Sequence, residues 1–190
     1  LNTMEFDESI VFTGKGSKKN NYLIDMFLNN ETEDKAILEF SQLPALEFEH
    51  KLDSTRTIKL NKLKRFKAKR ETSALFDELV EANINYDYYL SKEVYPFVNY
   101  TYSEREILDS LPKDFYSYRK QIDYNNVNLK DYFPYYSFLK HHFENLALAE
   151  YFKTSNEKEF KKEALDYNLI RLNLIDSLVT NQNIKNSLLI

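Results

Sequence analysis

Along most of the chain, apolar residues recur at steps of three and four, the spacing that builds one face of a helix. Tyr22, Leu23, Met26 and Phe27 begin the pattern, with Asn20 or Asn21 placed to cap it. The polar run "NNETED" (Asn29–Asp34) predicts a break, after which Ile37, Leu38 and Phe40 mark a second, short helix. Pro44 suits the first turn of a third helix that continues to about Arg70. Thr72 or Ser73 then caps a helix carrying Phe76, Leu79, Val80, Ile84, Leu90 and Val94, interrupted near Pro96.

Ser103 and Glu106 have capping-box spacing ahead of Ile107 and Leu108. "LPKDFYSYRKQI" (Leu111–Ile122) reads as a short helix or turn, and the asparagines of Asp123–Asn128 predict a polar loop. The clearest helix follows Pro134, with Tyr135, Leu139, His142, Leu146 and Ala149 on one face. Ser155 or Asn156 is placed to cap a helix from about Glu157 to Val179, apolar on much of its circumference. Thr180–Asn183 breaks it before a last helix, Ile184–Ile190. Only Ile10 and Phe12 alternate as an edge strand would. No fixed period repeats, which disfavours a regular solenoid.

Composition sharpens the fold class. Two glycines and four prolines in 190 residues are too few for a β-sandwich or a doubly wound sheet, whose tight turns consume glycine. The expectation is all-α: an irregular multi-helix bundle, with room for one short N-terminal strand. A single helical domain spans 1–190, of which 1–16 is a lead-in, and the whole reads as a piece of a longer chain that begins at Leu1 rather than Met. Fifteen Tyr and 14 Phe with no Trp give an aromatic-rich core. The absence of cysteine removes disulfides, dithiol redox chemistry and thiolate metal sites from this segment. No apolar run approaches the roughly 18 residues of a membrane span, and a net charge of −4 gives no global attraction to nucleic acid.

Several stretches invite a chemical reading. "FTGKGSKKNNYL" (Phe12–Leu23) holds both glycines, Gly14 and Gly16, ahead of a helix. A P-loop requires four residues between its first glycine and a Gly-Lys-Ser/Thr, and a dinucleotide fingerprint requires a third glycine within a βαβ unit. Neither is present, so the reading is a turn before a helix.

"RTIKLNKLKRFKAKR" (Arg56–Arg70) carries eight basic residues and no acid. It reads as a solvated helix face, with Ile58, Leu60, Leu63 and Phe66 turned inward, rather than as a phosphate-tracking helix. His141 and His142 point about 100° apart on a helix and have no partner four residues away to chelate a metal. His142, on the apolar face, reads as a hydrogen-bonded core residue, and His141 as solvent-facing. "YDYYL" (Tyr86–Leu90) and "DYFPYYSF" (Asp131–Phe138) admit two readings, a ligand groove or aromatic packing between helices. The residues alone assign no catalytic, cofactor-binding or metal site.

The order of four segments carries one resemblance. "IVFTGKGSKKNNYL", "TSALFDELVEANINYDYYLSKEVYP", "DFYSYRKQIDYNNVNLKDYFPYYSFLKHHFENLALA" and "IDSLVTNQNIKNSLL" resemble, in that order and from about Ile10 to Ile190, the helical region upstream of the thioredoxin domain in envelope-associated TlpA-like thiol–disulfide oxidoreductases. The resemblance implies a non-catalytic accessory domain, periplasmic or associated with the cell envelope. Such a domain positions a thioredoxin-fold domain or recruits its protein substrates, through an aromatic groove near Tyr86–Leu90 and Tyr132–Phe138. The family's Cys-x-x-Cys motif is expected downstream of Ile190, so no catalytic residue transfers to this sequence. The resemblance also allows membrane anchoring through a lipoprotein signal removed from the N-terminus. The alternative is a stand-alone helical interaction or scaffold protein without a redox role.

Overall fold

The structure, a computed structural model, describes residues 10–155 and 160–189, with residues 31–36 described as backbone only. It is all-α. Among the described residues seven α-helices, α1 (Ser17–Phe40), α2 (Ala45–Lys69), α3 (Ala74–Val98), α4 (Glu104–Ser110), α5 (Phe133–Thr154), α6 (Leu165–Leu178) and α7 (Gln182–Leu189), are joined by loops and by one 3-10 helix, Ser117–Gln121. No strand occurs among the described residues. The strand expected at Ile10–Phe12 is replaced by a side-chain bracket. The Asn21 amide accepts from the Phe12 N–H (2.7 Å) and donates to the Phe12 carbonyl (3.1 Å), so both groups are satisfied without a neighbouring strand.

That bracket also settles the glycine-rich segment. Gly14 and Gly16 both lie in the left-handed region (φ 81° and 85°), where residues with a Cβ are disfavoured. Gly16 is the N-cap of α1, and its carbonyl accepts from the Lys19 and Asn20 amides. Asn21 is therefore inside the helix, holding the lead-in rather than capping.

Several boundaries move from their expected positions. "NNETED" does not break α1, which runs through it to Phe40. Pro44 is the N-cap of α2 rather than its first residue, and α2 ends at Lys69. Ser73 caps α3, its Oγ accepting from the Phe76 N–H. Pro96 does not interrupt α3: it sits in the last turn, where the missing donor costs one bond close to the helix end. The Ser103–Glu106 capping box forms as expected. Ser155 ends α5 rather than starting the next helix, whose first residue is Leu165. The other expected cap, Asn156, lies outside the described residues, as does most of the first turn of the helix expected from Glu157.

α3 is the hub, packing on α5, α2 and α1, while α5 packs on α6. The main core between α3 and α5 holds Tyr89, Tyr118, Tyr135, Phe138 and Phe143, with Ile175, Ile184 and Leu188 from the last two helices. A second core joins Phe48 and Leu52 of α2 to Tyr95 and Phe115, with Phe48 and Tyr95 stacked at 4.3 Å. A third packs Tyr22 against Leu63, Phe76 and Val80. Full burial of one such ring stabilises by about 1.5–3 kcal/mol.

The asparagine-rich loops also bind neighbouring elements. Asn125 Oδ1 accepts from the Thr180 and Asn181 amides, and Asn181 Oδ1 accepts from Asn183 and Ile184, capping α7.

Candidate functional site

Acid–base groups converge at the centre of the α3–α5 interface. Glu93, on α3, has a fully buried side chain, as does His142 of α5 facing it, with His142 Nδ1 2.7 Å from Glu93 Oε1. Tyr118 Oη donates to the same oxygen at 2.7 Å, and Arg119 bridges both carboxylate oxygens through Nε (2.9 Å) and Nη2. The second nitrogen of His142 meets the Tyr124 hydroxyl at 2.9 Å. Asn145 donates to the Glu93 backbone carbonyl and to Tyr116 Oη, both at 2.8 Å. The Arg119 guanidinium lies 3.5 Å from the centre of the Tyr116 ring.

Burial alone would push the Glu93 carboxyl up. The Arg119 guanidinium and the His142 hydrogen bond outweigh it and hold the group below its ordinary value. Burial beside Glu93 pushes the Tyr118 hydroxyl far up. Glu93 and His142 are thus saturated with partners and shut off from solvent, a structural polar core rather than a place for substrate.

Lys92, next to Glu93, is also buried. It donates to Glu49 (2.6 Å) and to the Phe115 carbonyl (2.9 Å), with the Phe115 ring 4.4 Å away. Glu144 sits nearer the surface, with His141 Nδ1 at 3.0 Å, Lys162 Nζ at 3.3 Å and Arg171 at 3.9 Å. Burial raises its carboxyl, but His141 and Lys162 bring it below the ordinary value. His142 is the core residue the helical spacing indicated. His141 is only partly exposed because it leans on Glu144. Among the described residues no three His, Asp or Glu side chains converge as metal ligands would.

The aromatic segments do not make a groove together. Tyr89, Tyr135 and Phe138 are buried in one core, and Tyr86, Tyr132 and Tyr136 pack against it. Burial pushes the Tyr86 hydroxyl up to about 12. Tyr88 and Leu90 also pack against the edge of that core, and they help line a shallow groove of about 70 Å3 between α1, α2 and α3, open to solvent. Its apolar wall is Ile37, Phe40, Leu52, Ile84 and Leu90, and Lys51, Arg56, Lys59 and Asp87 stand among them.

Part of the basic run of α2 pairs with acids of neighbouring helices, and most of the rest stays exposed. Lys59 lies 3.6 Å from Asp87, Lys62 4.0 Å from Asp25, and Lys67 3.0 and 3.2 Å from Asp77 and Glu81. Leu63 is buried and Phe66 half-buried, but Ile58 is 65% exposed and Leu60 also faces outward. The inward stripe of α2 is therefore narrower than the spacing indicated.

Sequence reasoning missed Glu93, Arg119 and Asn145. Charged and amide residues drop out of a hydrophobic count, although Lys92 and Glu93 stand on the buried face of α3 that Tyr89 and Pro96 share. A Lys-Glu pair inside an apolar helical stripe was the available signal.

On α6, Leu165, Leu169 and Leu172 are 72%, 47% and 40% exposed. Their i, i+4, i+7 spacing sets them in one stripe. No helix among the described residues is long and apolar enough to cross a membrane. Comparison of the chain with protein-family models, with curated proteins and with solved structures yields no match to any of the three.

Proposed function

We propose that this chain is a non-catalytic helical interaction domain, the accessory region of a TlpA-like periplasmic protein, and that the leucine stripe of α6 is where a thioredoxin-fold domain docks. The stripe carries the proposal: three leucines on one face of α6 remain uncovered. Three aligned exposed leucines are a surface that gains by being covered. The resemblance carried by the order of the four sequence segments supports this choice of partner, since it implies a redox domain after α7. The sealed state of Glu93 and His142 supports a role in positioning or recruitment rather than chemistry.

The test is to read the gene beyond the codon for Ile190 and assay its product. A frame with Trp-Cys-x-x-Cys, whose reduction of a protein disulfide falls several-fold in Leu169→Asp/Leu172→Asp while a small aromatic disulfide is turned over unchanged, supports the proposal. A frame that stops, or that encodes no thioredoxin fold, overturns it in favour of a stand-alone interaction protein.

A further inference from the structure

The groove between α1, α2 and α3 contains two cations, Arg56 and Lys51, with no acid partner among the described residues, in a chain whose net charge is −4. Elsewhere in the protein Lys92 pairs with Glu49 and Arg119 with Glu93, and within the groove Lys59 faces Asp87. Arg56 is different. Its Nε and Nη2 both donate to the amide oxygen of Asn85, at 3.2 and 2.7 Å, and its guanidinium lies 4.6 Å from the centre of the Tyr88 ring. Among the described residues no carboxylate lies within ion-pair distance of it, and the nearby Asp53 accepts from Tyr88 Oη at 2.6 Å. Lys51 likewise has no acid partner, its ammonium resting 4.6 Å from the Phe40 ring centre.

A guanidinium held by a neutral amide and an aromatic face keeps its full charge and has a fixed orientation. Beside it runs the apolar wall of Ile37, Phe40, Leu52, Ile84 and Leu90. The combination suits a molecule with one negative end and an apolar stem. We infer that this groove binds a free aliphatic monocarboxylate, its chain along the apolar wall and its carboxylate on Arg56 and Lys51. Asp87 also lines the groove and Asp53 lies close to Tyr88, so a single negative charge suits the site better than a phosphate dianion. This site is separate from α6, and the inference does not depend on the accessory-domain reading.

The experiment is calorimetric titration of the whole protein with sodium decanoate below its micellar concentration, beside decanol, decyl phosphate and decyltrimethylammonium. One-to-one binding of decanoate is expected, at least tenfold tighter than decanol and with no binding of the cation. Arg56→Gln should weaken it about tenfold, the loss of one charge-assisted hydrogen-bonding partner. Since Arg56 also holds Asn85, the exposed Lys51→Glu provides a variant that keeps that hydrogen bond, and it should weaken decanoate at least threefold. No decanoate binding, equal binding of decanol or of the cation, tighter binding of decyl phosphate, or an unchanged affinity in Lys51→Glu would each overturn the inference. Failure here leaves the α6 proposal standing, because neither Lys51 nor Arg56 touches that helix.

Discussion

His142 Nδ1 lies 2.7 Å from Glu93 Oε1, with both side chains entirely shut off from solvent. The contact joins α3 to α5, the two helices that share the main core, and Arg119 from the 3-10 helix closes the other side of the carboxylate. Three segments far apart in sequence thus meet on one charge. Removing a partner from a buried ion pair costs about 3–5 kcal/mol, because the remaining charge has nowhere to go. Glu93→Gln should therefore lower the unfolding free energy by at least 3 kcal/mol in urea denaturation, through the stranded Arg119. A loss under about 1 kcal/mol would mean that the pair is solvated in a way its burial does not indicate.

The same groups set the pH range of stability. Glu93 and Glu144 have folded values below the ordinary 4.5. As pH falls below about 4.5 the unfolded chain takes up protons first, so stability is lost progressively until the folded carboxyls also protonate. Tyr86 and Tyr118 have folded values above the ordinary 10.0. Above that pH the unfolded chain loses its phenolic protons first, and stability falls again. Thermal melts should show a plateau between about pH 5 and 9, with a decline on each side. A melting temperature that stays level from pH 5 down to pH 3 would contradict the acid limb.

How much of this was legible depends on what each residue does. The all-α class follows from scarce glycine and from three- and four-residue spacing, and the capping box at Ser103 and Glu106 forms where the pattern set it. "NNETED" misled because asparagine and acid residues signal a break only when no tertiary partner favours the helix. Here Asn30 donates to Asn83 of α3 and accepts from Lys59 of α2, tying the middle of α1 to its neighbours. The tyrosine clusters were ambiguous for a reason local sequence cannot remove: Tyr88 and Tyr89 are adjacent, yet Tyr89 is buried in the main core while Tyr88 sits at its edge and also lines the groove. The polar core was hidden because its members, Glu93, Arg119 and His142, acquire meaning only through contacts 26 and 49 residues away.

The glycine turn offers a sharper test of local geometry. A Cβ at Gly16 would meet no atom within 4 Å, so the cost of Gly16→Ala is conformational: about 1–2 kcal/mol for the left-handed backbone. Asn21→Ala should cost about 1 kcal/mol or less and speed hydrogen exchange at the Phe12 amide, leaving α2 and α3 unchanged. If the Phe12 amide exchanges at the same rate in both proteins, the bracket does not hold the lead-in.

Asn125 should matter more than its loop position indicates. Its side chain receives two backbone amides from the α6–α7 connection. Asn125→Ala is expected to destabilise by about 1–3 kcal/mol, from two donors left without their acceptor, with the loss of exchange protection concentrated in Thr180 and Asn181. Uniform loss across the whole domain would show that the loop is part of one cooperative unit instead.

The central claim, that the leucine stripe of α6 is a docking face, is tested most directly by comparing Leu169→Asp/Leu172→Asp in two contexts. In residues 1–190 alone these exposed sites should change stability by less than about 0.5 kcal/mol each. In a chain where a thioredoxin-fold domain follows Ile190, as proposed, the same pair should uncouple the two parts, so that one cooperative melting transition becomes two. One unchanged transition, or the same small effect in both contexts, would contradict the account.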